Sequence, residues 1–196
     1  MKQVLIIHGG DSWTSYEKYL ENLKNSPIDY ERLKLQKKWK PWIAEQMPEV
    51  DVLLPTFPNG SNAVYEEWRI YFEKLQPFFG DNVQLVGHSL GAMFLAKYLH
   101  EAPLPQKVRR LILISGVYNE DFEGDEGSFL VNNASGLEKS AREIHLFHSE
   151  DDPVVPFTEL AKFQADLPDA ITHTFTDRGH FIGETFSELL ELLQKD

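Results

Sequence analysis

The 196-residue chain contains no cysteine. That excludes a disulfide scaffold, a thiolate metal site and a cysteine nucleophile together. No stretch approaches the roughly 20 apolar residues of a membrane span. The opening run Val4-Leu5-Ile6-Ile7 ends at His8-Gly9-Gly10, too soon for the hydrophobic region of a signal peptide. It reads as a buried strand, with the cytoplasm as the expected location. Positive charge is scarce: 19 Lys+Arg stand against 31 Asp+Glu, a formal net charge of −12. Such a surface repels nucleic acid and anionic membrane, and neither is expected as a partner. There is no internal repeat, low-complexity tract or linker, so one continuous domain over residues 1–196 is expected.

What is present is the mixture of a globular protein, 42% hydrophobic and 26% charged. Six short runs rich in Val, Ile, Leu, Phe or Thr lie at residues 3–8, 50–54, 83–87, 109–115, 143–148 and 171–176. Most are apolar on consecutive positions, as in strands covered on both faces. Helical spacing falls between them, at Tyr16-Tyr19-Leu20-Leu23, at Tyr65-Trp68-Tyr71-Phe72-Leu75, after Ser89, and at Phe186-Leu189-Leu190-Leu193. This alternation predicts an α/β fold, a three-layer α/β/α sandwich around a mostly parallel sheet of about six strands. Between the first two strands there is room for two helices, with Pro41 starting the second. Tyr118 to Ser140 reads as an acidic, glycine-rich loop or flap. Sheets of this kind bind ligands beyond the carboxyl ends of their strands.

The strongest motif is Gly87-His88-Ser89-Leu90-Gly91. Gly-x-Ser-x-Gly is weak by itself, but here a strand precedes it and a helix follows. A serine on such a sharp turn is held above the sheet, and the flanking glycines make room for the turn. The alternative is a glycine-rich turn whose serine caps the helix. A serine nucleophile needs a base, and the base an orienting acid. Ser149-Glu150-Asp151-Asp152-Pro153 follows the fifth strand, and Asp177-Arg178-Gly179-His180-Phe181 the sixth. Serine, acid, histidine is the chain order of α/β-hydrolases. Asp152, restrained by Pro153, is the preferred acid, with Asp151 and Asp121 as alternatives. For the oxyanion, the expected donors are the backbone N–H groups of Leu90 and Gly10, Asp11 being the alternative to Gly10.

Other features point to no further chemistry. There is no His-Glu-x-x-His, phosphate loop or dinucleotide fingerprint, and no metal or cofactor is expected. His145 and His148 fall on opposite faces of a strand. His148 with Glu150, Asp151 and Asp152 reads as a solvated acidic turn rather than a cation site. Trp13, Tyr16, Trp39, Trp42 and Trp68 read mostly as core aromatics, the alternative being that one or two line an acyl pocket, and His88 and His100 read as structural.

The chain resembles an α/β-hydrolase, and in particular the small, minimal-sheet family of retinoblastoma-binding protein nine and its bacterial relatives. The resemblance rests on His8-Gly9-Gly10, the stretch from Pro55 to Trp68, Gly87-His88-Ser89-Leu90-Gly91, His148 to Pro153, and Gly179-His180-Phe181. It implies Ser89 as nucleophile, Asp152 as acid and His180 as base, acting on small esters or amides. Aminopeptidase-like activity is proposed for some members of that family. The segment from Asp11 to Glu49 is longer than the family's usual first connection.

The function expected is therefore a serine hydrolase that cleaves a small ester or amide through an acyl-enzyme. The alternative is a non-catalytic protein-binding module on the same fold. Acyl transfer or thioesterase work on a carrier is a third reading.

Overall fold

The computed structural model describes residues 2–118 and 125–195. Its six strands are β1 (Gln3–Ile7), β2 (Asp51–Leu53), β3 (Val83–His88), β4 (Val108–Ile114), β5 (Ala141–Ser149) and β6 (Ile171–Phe175). They form one sheet in the order β2-β1-β3-β4-β5-β6, and every neighbouring pair is parallel. The order reverses direction between β1 and β3, where the chain leaves one half of the sheet for the other.

The helices are α1 (Tyr16–Asn25), α2 (Tyr30–Leu33), α3 (Trp39–Gln46), α4 (Tyr65–Leu75), α5 (Leu90–Glu101), α6 (Thr158–Asp166) and α7 (Ser187–Gln194). Side chains alternate across each strand. Leu5, Ile7, Leu85, Leu111, Leu113 and Leu146 face one core with Trp68 and Phe72 of α4, Phe94 of α5 and Phe163 of α6. Val4, Ile6, Val86, Ile112, Ile114 and Phe147 face the other, against Trp39 and Ile43 of α3 and Leu189 and Leu193 of α7. Both faces are therefore covered, which is why these strands read as continuous apolar runs.

Within the second core, Arg110 is 3% exposed. It donates to the carbonyls of Leu192 and Lys195 and pairs with Glu143 at 2.6 Å. The guanidinium thus satisfies acceptors left open at the end of α7.

Two sequence expectations need correction. Pro41 does not start its helix; α3 begins at Trp39, and Pro41 is its third residue. Proline is tolerated there because N–H groups of the first turn have no partner inside the helix. The connection also holds a third short helix, α2. The apolar face read at Tyr16 to Leu23 is helical, with Ser15 accepting from Lys18 N–H at its start, but α1 buries none of its residues. Tyr16 and Leu23 are exposed, as are Ile28, Tyr30, Leu33 and Leu35 beyond it.

Candidate active site

Ser89 follows β3 directly and opens α5 with φ +55° and ψ −122°. This conformation is costly for a serine and persists only where its surroundings over-determine it. A Cβ at Gly87 would lie 2.4 Å from the carbonyl oxygen of Gly91, and one at Gly91 would lie 2.6 Å from that of Ile7. The two glycines let helix and strands close on the turn. Ser89 Oγ makes no capping bond to α5, unlike the helix-capping serine of the alternative reading.

The acid and the histidine meet across adjacent loops. His180 Nδ1 lies 2.9 Å from Asp152 Oδ2 and 3.1 Å from Oδ1. The Asp152 side chain has 0% exposure and also accepts from the N–H groups of Val154 and Val155. Burial pushes this carboxyl up, but the bonds from His180, Val155 and Val154 outweigh it, and its pKa falls below the ordinary aspartate value. Asp151 is turned elsewhere, accepting from Ser149 Oγ at 2.5 Å and Gly179 N–H at 2.9 Å. Those bonds, with Arg178 N–H to Ser149 Oγ at 3.1 Å, tie the loop after β5 to the loop after β6. Asp121, the other alternative acid, lies outside the described residues.

Ser89 and His180 line one cavity of about 350 Å³ with Gly9, Gly10, Leu90, Ser115, Val117, Val154 and Val155. These residues come from the loops after β1, β3, β4, β5 and β6, so the cavity sits at the carboxyl ends of the strands. No hydrogen bond joins Ser89 Oγ to the His180 ring, and His180 Nε2 has no partner among the described residues. A hollow of about 440 Å³ near the starts of β5 and β6 contains none of the expected site residues.

The β1 loop is held by residues from the stretch between Pro55 and Trp68. Phe57 N–H donates to His8 Nε2 at 2.8 Å, and His8 Nδ1–H donates to Gly9 O at 2.6 Å. Asp11 N–H donates to Gly60 O at 2.9 Å, so this amide is already engaged. The amides of Gly10 and Leu90 make no hydrogen bond among the described residues; Leu90 is the first residue of its helix, where N–H groups are free.

Three features of the cavity go beyond the roles read from the sequence. Asp11, Asp125 and Glu126 line it, and burial together with the charges of Asp125, Asp11 and Glu159 pushes Glu126 up to about 7. Ser115, at the end of β4, has φ +47° and a buried Oγ without a hydrogen-bond partner. His88 is packed beneath the site, its Nε2 2.8 Å from the carbonyl oxygen of His180. His148 and His145 part as expected: His148 Nε2 bonds to Val155 O, while His145 meets His173 on the other face.

A parallel sheet in this order, with a serine on the turn from its third strand into a helix, gives the molecule an α/β-hydrolase fold. Residues 33–189 match the family described as Serine hydrolase, and the chain belongs to that family. It is 30% identical over 169 residues to Serine hydrolase RBBP9 of Rattus norvegicus, covering 80% of this chain and 84% of that protein. It is 27% identical over 164 residues to Putative hydrolase YdeN of Bacillus subtilis (strain 168), covering 77% of this chain and 82% of that one. The crystal structure of the ydeN gene product from B. subtilis superposes with a TM-score of 0.76 at 22% identity, covering 98% of this chain and 97% of that chain. That last likeness is one of fold. Among the described residues no helix is long and apolar enough to cross a membrane.

Proposed function

We propose that the protein hydrolyses small esters or amides through an acyl-enzyme on Ser89, with His180 as general base and Asp152 as its orienting acid. The observation that carries this is the bond from His180 Nδ1 to a carboxylate shut away from solvent, with that histidine and Ser89 facing one cavity. Asp152 accepts at Nδ1, which leaves Nε2 as the nitrogen that takes a proton.

Ser89 Oγ attacks the carbonyl carbon as its proton passes to His180 Nε2. The negative charge that develops on the carbonyl oxygen is met by the N–H groups of Leu90 and Gly10, both otherwise unengaged. His180 then returns the proton to the leaving alcohol or amine as its bond to the carbonyl carbon breaks. Water enters and gives a proton to the same nitrogen as its oxygen adds to the acyl carbon; that proton passes to Ser89 Oγ as the acyl–oxygen bond breaks, which frees the acid and restores the enzyme. These steps are carried by the protein's own residues. Ser89 Oγ and His180 close to hydrogen-bonding distance when substrate fills the cavity, as catalytic bonds often tighten only in the complex.

The test is turnover of a small p-nitrophenyl ester and of the matching anilide. Wild type is expected to hydrolyse the ester, and Ser89→Ala to lose on the order of 10⁵–10⁶-fold in kcat while keeping its fold. Equal ester hydrolysis by the two proteins overturns the assignment.

A further inference from the structure

Helix α3 grips the turn that carries His180. Trp39 Nε1–H donates to Phe181 O at 2.7 Å, and Trp39 N–H donates to Gly183 O at 3.2 Å. One residue earlier, the carbonyl of His180 itself is 2.8 Å from His88 Nε2. His88 is 5% exposed, and its Nδ1 is 3.2 Å from Lys40 Nζ. A chain of contacts therefore runs from a lysine on α3, through the residue before Ser89, to the backbone of His180. The turn needs such holding, because Phe181 sits at φ +49°, in the left-handed region.

Chemistry sets the direction of each bond. A carbonyl oxygen only accepts, so His88 Nε2 must carry a hydrogen; an ammonium only donates, so His88 Nδ1 must present its lone pair. Only the neutral Nε2–H tautomer satisfies both. Burial, then the charge of Lys40 and the neighbouring His180 ring, hold His88 well below the ordinary histidine pKa and keep it neutral. Lys40 is half-buried, with its ammonium 4.4 Å from the Trp39 ring centroid. Burial, and secondarily the charge of Lys38, pull it down to about 8.

We propose that Lys40 is a positioning residue for His180, acting through His88. Its bond to Nδ1 selects the His88 tautomer that donates to the His180 carbonyl, and this sets where the His180 ring stands relative to Ser89. The inference rests on the hydrolase reading above. Without Lys40, the His180 carbonyl alone holds His88 in the Nε2–H form; each excursion to the Nδ1–H tautomer turns a lone pair on Nε2 toward that carbonyl and pushes the turn away. The charged and titratable groups around His88 are Lys40 from α3, His180 from the loop after β6, and Asp152 from the loop after β5; Lys38, just before α3, acts on Lys40. As pH rises through about 8, Lys40 becomes a neutral amine, still a donor but a weaker one, and the hold on His88 loosens.

The experiment compares wild type, Lys40→Met and Lys40→Arg in ester turnover, in the rate of Ser89 labelling by a fluorophosphonate, and in the ring-nitrogen NMR spectrum of His88. Lys40→Met is expected to lower kcat and the labelling rate by about tenfold or more with KM changed by less than about twofold, the pattern of a displaced catalytic group. Its His88 is expected to show mixed tautomers where wild type shows Nε2–H alone. Lys40→Arg is expected to keep the tautomer and most of kcat, and to move the alkaline fall in rate upward. If Lys40→Met does not fold, the Lys40→Arg pH profile and the wild-type His88 spectrum across pH 8 carry the test. Wild-type kcat with an unchanged tautomer in Lys40→Met, or an unmoved alkaline limb in Lys40→Arg, overturns the inference and leaves the hydrolase reading standing. A wild type that neither labels nor turns over overturns both.

Discussion

His180 Nδ1 lies 2.9 Å from Asp152 Oδ2, and the Asp152 side chain has no exposure to solvent. A buried carboxylate is stable only when its lone pairs are met, and here two backbone amides and the imidazole meet them. Asp152→Asn leaves the two amide bonds possible but puts an amide in place of the acceptor that fixes the histidine tautomer. Its kcat is expected to fall by about 10³–10⁴-fold with the fold retained, read by ester hydrolysis and circular dichroism. A loss under about tenfold contradicts the role given to Asp152.

The lowered pKa of Asp152 also has a consequence for stability. A carboxyl whose folded pKa is depressed contributes stability above its unfolded value and loses that contribution as pH falls through the folded value. The Tm gap between wild type and Asp152→Asn is therefore expected to shrink below pH 3.8, the ordinary aspartate value, as Asp152 takes up its proton. Thermal unfolding of both proteins from neutral to acid pH reads it; a constant gap contradicts it.

Glu126 has the opposite sign. Its pKa is raised from 4.5 to about 7, so between those values the folded chain binds a proton that the unfolded chain has lost. Stability contributed by the neutral carboxyl is complete below 4.5 and is lost as pH rises through about 7. Glu126→Gln keeps the neutral form at every pH, so it is expected to raise Tm at pH 8 and leave it nearly unchanged at pH 4. Parallel Tm curves for the two proteins rule this out.

The carboxylates of Asp11, Asp125 and Glu126 that line the cavity oppose an anionic acyl chain. The p-nitrophenyl ester of butyrate is expected to be cleaved with about ten times or more the kcat/KM of the hemisuccinate, each 1.4 kcal/mol of repulsion being tenfold. Added salt and Glu126→Gln should both narrow that ratio. Equal rates on the two esters exclude electrostatic selection at this wall.

The loops that carry Ser89, Asp152 and His180 were readable because each follows a run of strand-like composition: Ser89 comes directly after β3, Asp152 three residues after β5 and His180 five residues after β6. The covered faces of the sheet were readable for the same reason. Lys40 was not, because its meaning lies in contacts with residues 88 and 180 that no local spacing encodes. His88 could be placed beside Ser89 but not beneath His180. Periodicity around Tyr16 and Leu23 revealed a helix and its apolar stripe, yet could not tell that Tyr19 and Leu20 are only half-buried and Tyr16 and Leu23 exposed. Pro41 marked the right helix and the wrong residue, since proline is accepted throughout a first turn.

Close approach at the turn gives a packing test independent of catalysis. A Cβ at Gly91 would come within 2.6 Å of Ile7 O and 2.7 Å of His8 O, backbone atoms of a central strand and its loop that cannot step aside. Gly91→Ala is expected to destabilise the fold by about 3 kcal/mol, at the severe end of overpacking. Urea unfolding measures it, and a change under about 1 kcal/mol contradicts the geometry of the turn.

Intact-mass labelling with a small fluorophosphonate addresses the catalytic claim most directly, because it asks only whether Ser89 is accessible and activated. One adduct on wild type, none on Ser89→Ala and a much slower reaction on Asp152→Asn is the result expected of a serine nucleophile served by His180 and Asp152. An unlabelled wild type, or an adduct that persists on Ser89→Ala, contradicts it.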